Sequence, residues 1–145
     1  MITAIFYFIS YLYVSVKCLQ KLVKAAVRFI YTVRRSASTT GYLKKAHILP
    51  VRYRIQYKLC LLVYKILHGM APSYMNNLLH PRTVNRANLR SSVDDTVMET
   101  SYSQGTIARC MCEAWNALPI HLRNISKIES FKTSLKTHYF IVAFE

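Results

Sequence analysis

An all-α fold is what this sequence predicts: five or six helices in a small irregular bundle, with one extended or β-like insertion around residues 82–105. Three observations carry that prediction. Apolar residues recur at helical spacing over most of the chain. Helix punctuation brackets several of those runs, most clearly Pro50 before one, Gly69 after it, and Ser126-x-x-Glu129 before another. Hydrophobic residues make up 52% of 145 residues, with only 3 Gly and 4 Pro, so a core can form and wholesale disorder is excluded. Residues 1–16 read as an apolar N-terminal segment, a buried helix or strand, and 17–145 as a single helical domain.

The opening stretch, MITAIFYFISYLYVSV, holds 15 uncharged residues between Met1 and Lys17. As a helix it would span about 24 Å, short of the ~30 Å of a bilayer core. Thr3, Ser10, Ser15 and its tyrosines weaken insertion further. No positive charge precedes it and no clear small-residue cleavage site follows, so a secretory signal is not indicated.

From Lys17 the chain becomes amphipathic helix. Lys17, Lys21, Lys24 and Arg28 fall within about 60° of arc, with Arg34 and Arg35 following. Leu19, Leu22, Val23, Ala26, Ile30 and Val33 take the opposite side, expected to face inward. Residues 36–41 form a small-polar connection, and 42–48 can make a short helix. Pro50 then opens what reads as the longest helix, closed by Gly69. Its expected apolar face is Ile55, Leu59, Leu62, Val63 and Ile66. Arg54, Lys58 and Lys65 share a second face, with Tyr53, Tyr57 and Tyr64 beside them. Tyrosines next to cations could stack bases while the cations hold phosphates; the other reading has them packed against a neighbouring element.

Residues 71–81 read as a turn, a short helix and a proline stop, and 82–105 show no helical period. Residues 106–118 are helical again, ending before Pro119. The last helix carries Ile128, Phe131, Leu135 and Tyr139 on one face. Trp115, the single tryptophan, should pack under it near Phe131.

Charge is distributed unevenly. Residues 1–90 hold 15 Lys and Arg and no Asp or Glu, whereas 91–145 hold 5 basic and 6 acidic residues (5 − 6 = −1). The formal net charge of +14 therefore originates in the first two thirds. A basic segment without internal counter-charge repels itself, and a polyanion would relieve that. A lysine every turn places charge about every 6 Å, a spacing able to follow a phosphate backbone. The plain alternative is a solvated basic face.

Catalytic signals are absent. Cys110 and Cys112 are too close for zinc spacing and no His follows suitably, so Cys18, Cys60, Cys110 and Cys112 read as small apolar core residues in a reducing, intracellular setting, nuclear or cytoplasmic. Asp94-Asp95 is the one tempting carboxylate pair, but two-metal chemistry needs carboxylates from separate elements and residues 1–93 contain none. Glycine-rich phosphate loops and nucleophile elbows are missing. No metal or cofactor site is expected.

An ordered series of short motifs runs from residue 19 to residue 137: Leu19-Gln20-Lys21-Leu22, Ala25-Ala26-x-Arg28, His47-Ile48-Leu49-Pro50-Val51, Arg54-Ile55, Tyr64-Lys65-x-Leu67-His68-Gly69-x-Ala71-Pro72, Leu89-Arg90-Ser91-Ser92, Trp115-Asn116-x-Leu118-Pro119 and Phe131-Lys132-x-x-Leu135-Lys136-Thr137. In that order they resemble the C-terminal region of the reverse transcriptase polyprotein of non-LTR (LINE, Jockey-like and related) retrotransposons. No single motif is specific; the order is. Ile48 stands where that family has Trp, Ala46 where Leu is usual, and Phe6, Phe8 and Ile9 where Asp, Cys and Asn occur. The resemblance implies a helical piece from beyond the polymerase palm, one that would help hold RNA and DNA, and it carries over no catalytic residue. The resulting expectation is a non-catalytic remnant contacting the RNA or DNA backbone with low sequence specificity. A reading of a different class is a protein-interaction module that docked on the parent palm; a third is a small membrane-associated protein anchored by residues 1–16.

Overall fold

The structure, a computed structural model, describes residues 2–81, 98–99 and 106–145. It is mainly helical, with six α-helices among the described residues. These are α1 (Ile2–Ile30), α2 (Thr40–Lys45), α3 (Val51–Leu67), α4 (Thr106–Asn116), α5 (Ile120–Arg123) and α6 (Ile128–Phe144). A 3-10 helix, Ser73–Leu78, follows α3. Two short strands, β1 (His80–Pro81) and β2 (Met98–Glu99), pair antiparallel with His80 opposite Glu99. Most of the segment expected to be extended, including Asp94, Asp95 and the Leu89–Ser92 motif, lies outside the described residues. Its described part, Met98–Glu99, is extended, and Met98 is buried.

The chain divides into two compact units, Met1–Ile55 with Tyr139–Glu145, and Gln56–His138. In the first, α1 is helical through the apolar opening and the basic stretch alike, so at 29 residues it, not the 17-residue α3, is the longest helix. Val27, Leu43, Leu49, Val51 and Tyr139 are buried. Gln20 on α1 accepts a hydrogen bond from the Val51 amide at 2.8 Å, supplying a partner to one of the first-turn donors that α3 cannot satisfy internally. Tyr31 lies against Tyr42 (5.4 Å between ring centroids), Tyr53 against Tyr139 (6.2 Å) and His47 against Phe140 (5.5 Å).

The second unit is built round aromatic rings. Tyr64 stacks on Phe131 at 4.3 Å, and Trp115 tilts against the same Phe131 at 5.9 Å. Val63, Cys60, Met111 and Leu135 are buried with them. The Cys60 thiol donates to the Ala114 carbonyl at 3.4 Å. The final helix buries Phe131 and Leu135 here and Tyr139 in the first unit, three of the four residues on the face its spacing predicts; Ile128 is half-buried.

Three helices end in the same way. After α3, Met70 N–H bonds to the Lys65 carbonyl and Gly69 N–H to that of Ile66, with Gly69 at φ +65°. This is the Schellman termination, in which a left-handed residue turns the chain back on the last free carbonyls. The end of α1 repeats it with Val33 to Arg28 and Thr32 to Phe29, and α2 with Ile48 to Leu43 and His47 to Lys44. Thr32 and His47 hold φ of +51° and +52° there without being glycine.

Some expectations are corrected. Of the face of α1 expected to point inward, Leu19, Leu22, Ala26 and Ile30 are exposed and Val23 and Val33 half-buried. The inward side is instead marked by Gln20 and Val27, because α1 docks through a narrow polar-apolar edge rather than through its broadest apolar face. On α3, Ile55 is exposed and Cys60 and Tyr64 join the core in its place. Cys18 is exposed rather than core. The Ser126/Glu129 cap is not made in the expected form: α6 starts at Ile128, and the Glu129 carboxylate accepts from Lys132 Nζ at 2.6 Å, one turn on. The α5 turn was not foreseen, since four residues are too few for a period to show.

Candidate nucleic-acid interface

The basic stripe of α1 is fixed by helix geometry. With 100° per residue, Lys17, Lys21 and Lys24 return to one face, separated by about 4.5–6 Å of rise. All three are exposed. Arg28 shares the face but is half-buried, and its Nε is buried with no hydrogen-bond partner among the described residues. Its guanidinium is therefore less available to a phosphate than the three lysines. Arg34 and Arg35 are exposed but lie beyond the left-handed turn at Thr32, so they no longer continue the stripe.

The first unit adds cations that helix-face reasoning missed. Lys44 and Lys45 end α2, and Arg52 and Arg54 sit on the first turn of α3; all four are exposed. Only Arg54 stood out from the sequence as a contact. The others were visible in the charge count but shared no periodic face. This unit holds 10 basic residues and one acidic residue, Glu145, a net of +9 (10 − 1); the second holds 10 and 5, a net of +5. In the second unit Lys58 is exposed and Lys65 half-buried.

The tyrosine row does not form a stacking platform. Tyr64 is fully buried (0% exposed), clamped between Phe131 and the His68 ring 3.9 Å away, and its hydroxyl donates to the Ser126 carbonyl. Burial pushes its phenol up from the ordinary tyrosine range. No base can reach that ring. Tyr53 is half-buried, with its ring against Tyr139 and its hydroxyl donating to the Val142 carbonyl at 3.4 Å, and Tyr57 is half-buried. The tyrosines alternate with the cations in sequence because α3 uses one side of them as core.

Two titratable groups elsewhere are shifted by their surroundings. Burial first, and Glu113 second, raise the Cys110 thiol against the opposing Arg109, so the thiolate that would react is disfavoured. Burial first, and His121 second, lower His138, favouring neutral imidazole. Among the described residues no group of three His, Cys, Asp or Glu gathers to hold a metal. Among them, too, no helix is long and apolar enough to cross a membrane. What the arrangement offers chemically is cationic surface. Compared with family models, with curated proteins and with solved structures, the chain matches none.

Proposed function

We propose that this chain is a non-catalytic nucleic-acid-contacting element that grips the phosphate backbone of RNA or DNA through α1, with little base preference. One observation carries the reading: Lys17, Lys21 and Lys24 stand exposed on one face of a continuous helix, in a stretch of 90 residues that contains no carboxylate side chain. A solvated helix face ordinarily alternates signs, and this one does not. The ordered motifs from Leu19 to Thr137 support its origin as the C-terminal region of a LINE-type reverse transcriptase. The purified chain should accordingly extend no primed template.

Salt dependence tests the grip. Each phosphate contact contributes about 0.7 to 0.9 to the slope of log affinity against log salt. Replacing Lys17, Lys21 and Lys24 with Gln preserves helix propensity and should lower that slope by about 2 to 3. An unchanged slope with intact helicity would reduce the stripe to a solvated face.

A further inference from the structure

Between α1 and α2 the chain runs Arg34-Arg35-Ser36-Ala37-Ser38-Thr39-Thr40, a cluster of hydroxyls directly behind two arginines. Because α1 ends at Ile30 and α2 begins at Thr40, all but the last of these residues lie outside the helices. A turn shapes the segment, with the Ala37 N–H donating to the Arg34 carbonyl at 3.1 Å. Arg34, Arg35, Ser36 and Ser38 are exposed. Surface connections of this kind are where a modifying enzyme can reach a folded chain.

We propose that Ser38 is a phosphorylation site for a basophilic serine kinase. Such a kinase selects its substrate by charge, its acidic side chains holding an arginine three places before the acceptor. Arg35 stands three places before Ser38, and Arg34 four. The neighbouring hydroxyls fit less well. Thr39 is 4% exposed and cannot enter an active site. Three places before Ser36 is Val33, and three before Thr40 is Ala37. Kinases of other preferences find nothing here: no Pro follows any of the four hydroxyls, and residues 1–90 hold no Asp or Glu. Arg123 before Ser126 is the one other place in the sequence where an arginine precedes a serine or threonine by three. There the arginine is half-buried and its Nε donates to the Leu118 carbonyl at 3.1 Å, so it is not presented to an enzyme.

In the transfer, the Ser38 hydroxyl oxygen attacks the γ-phosphorus of magnesium-bound ATP. The bond from that phosphorus to the bridging oxygen breaks, ADP leaves, and the hydroxyl proton passes to the kinase's catalytic aspartate. The product carries about −1.5 to −2 charge at neutral pH, in a unit whose net charge is +9. Arg34 and Arg35, close by in sequence, can give it charge-assisted hydrogen bonds. A further consequence rests on the nucleic-acid reading: the added charge offsets one to two phosphate contacts, so phosphorylation loosens the grip.

The test uses the purified full chain, magnesium-ATP and a calmodulin-dependent serine kinase, a probe that selects arginine three places before its acceptor. Phosphate should enter at Ser38, located by fragment-ion mass spectrometry. Ser38→Ala should abolish that label and Ser36→Ala should leave it. Arg35→Gln should lower kcat/KM for phosphorylation about tenfold or more. All three side chains are exposed, so circular dichroism of the variants should match the parent. No label, label at Ser36 or Ser126 in place of Ser38, or indifference to Arg35→Gln overturns the site. With single-stranded RNA, the phosphorylated chain should show a log–log salt slope lower by about 1 to 2. Equal slopes in the two forms overturn the loosening but not the site. If the unmodified chain binds no RNA, the reading of α1 falls and the loosening with it, whereas label at Ser38 still upholds the site.

Discussion

The side-chain amide of Asn116 holds Met98 by both of its backbone polar groups. Its Oδ1 accepts from the Met98 amide and its Nδ2 donates to the Met98 carbonyl, each at 3.0 Å. In effect a residue at the end of α4 replaces one rung of a strand for a buried residue of β2. The two partners together fix which way the amide points, since only the oxygen can meet an N–H and only the nitrogen a carbonyl.

Asn116→Ala should therefore destabilise the chain by about 2 to 3 kcal/mol, since it strips partners from both polar groups of a buried residue. Asn116→Asp should do no better, because it sets a carboxylate oxygen against the Met98 carbonyl. Urea unfolding of the two variants checks this. A loss under about 0.5 kcal/mol for both would show that the pairing contributes nothing.

Trp115 is 1% exposed beside Phe131. Its truncation to Ala should cost about 3 to 5 kcal/mol. As the single tryptophan, it should fluoresce in the folded chain at the short wavelengths of an apolar site. Emission at the solvent-exposed maximum before denaturant is added would contradict the burial.

Tyr64 gives a pH-dependent test. Its phenol is raised by burial, so above about pH 10 the unfolded chain releases a proton that the folded chain keeps. The stability this contributes is complete below about pH 10 and declines as pH climbs toward the higher folded value. Tyr64→Phe removes the bond to the Ser126 carbonyl and should cost about 1 kcal/mol near neutrality. The gap between the two proteins should then narrow as pH rises from about 9 to 11. Denaturation midpoints that stay parallel across that range would refute it.

How much of this was legible in the sequence depends on how far apart the deciding residues lie. Pro50 and Gly69 bracket α3 within a residue of where it runs, and Trp115 could be placed by its own hydrophobicity and the apolar spacing of α6. Local signals of that kind survive without a structure. The docking side of α1 did not, because the helix is apolar over much of its circumference and periodicity cannot choose among several apolar faces. The bond from Val51 to Gln20, 31 residues away, and the burial of Val27 show which side turns inward. Tyr64 was misplaced for a related reason: tyrosine suits core and surface equally, and its ring is claimed by Phe131, 67 positions along the chain. The exposed lysines of the candidate interface were readable, since a charge is costly to take out of water; the half-burial of Arg28 was not.

Left-handed backbone at Thr32 and His47 leaves the chain with slack it does not use. A side chain in that conformation costs about 1 to 2 kcal/mol, and glycine in its place would forfeit about 0.5 to 1 kcal/mol through the freer unfolded chain. At Thr32 the balance is a net gain of roughly half to one kcal/mol, reachable by one codon's change, whereas at His47 glycine would also give up the ring stacked on Phe140. The change at Thr32 alone could lift the ratio of folded to unfolded molecules about two- to fivefold. A margin for tolerating damage elsewhere in the sequence thus sits at the end of α1, unclaimed.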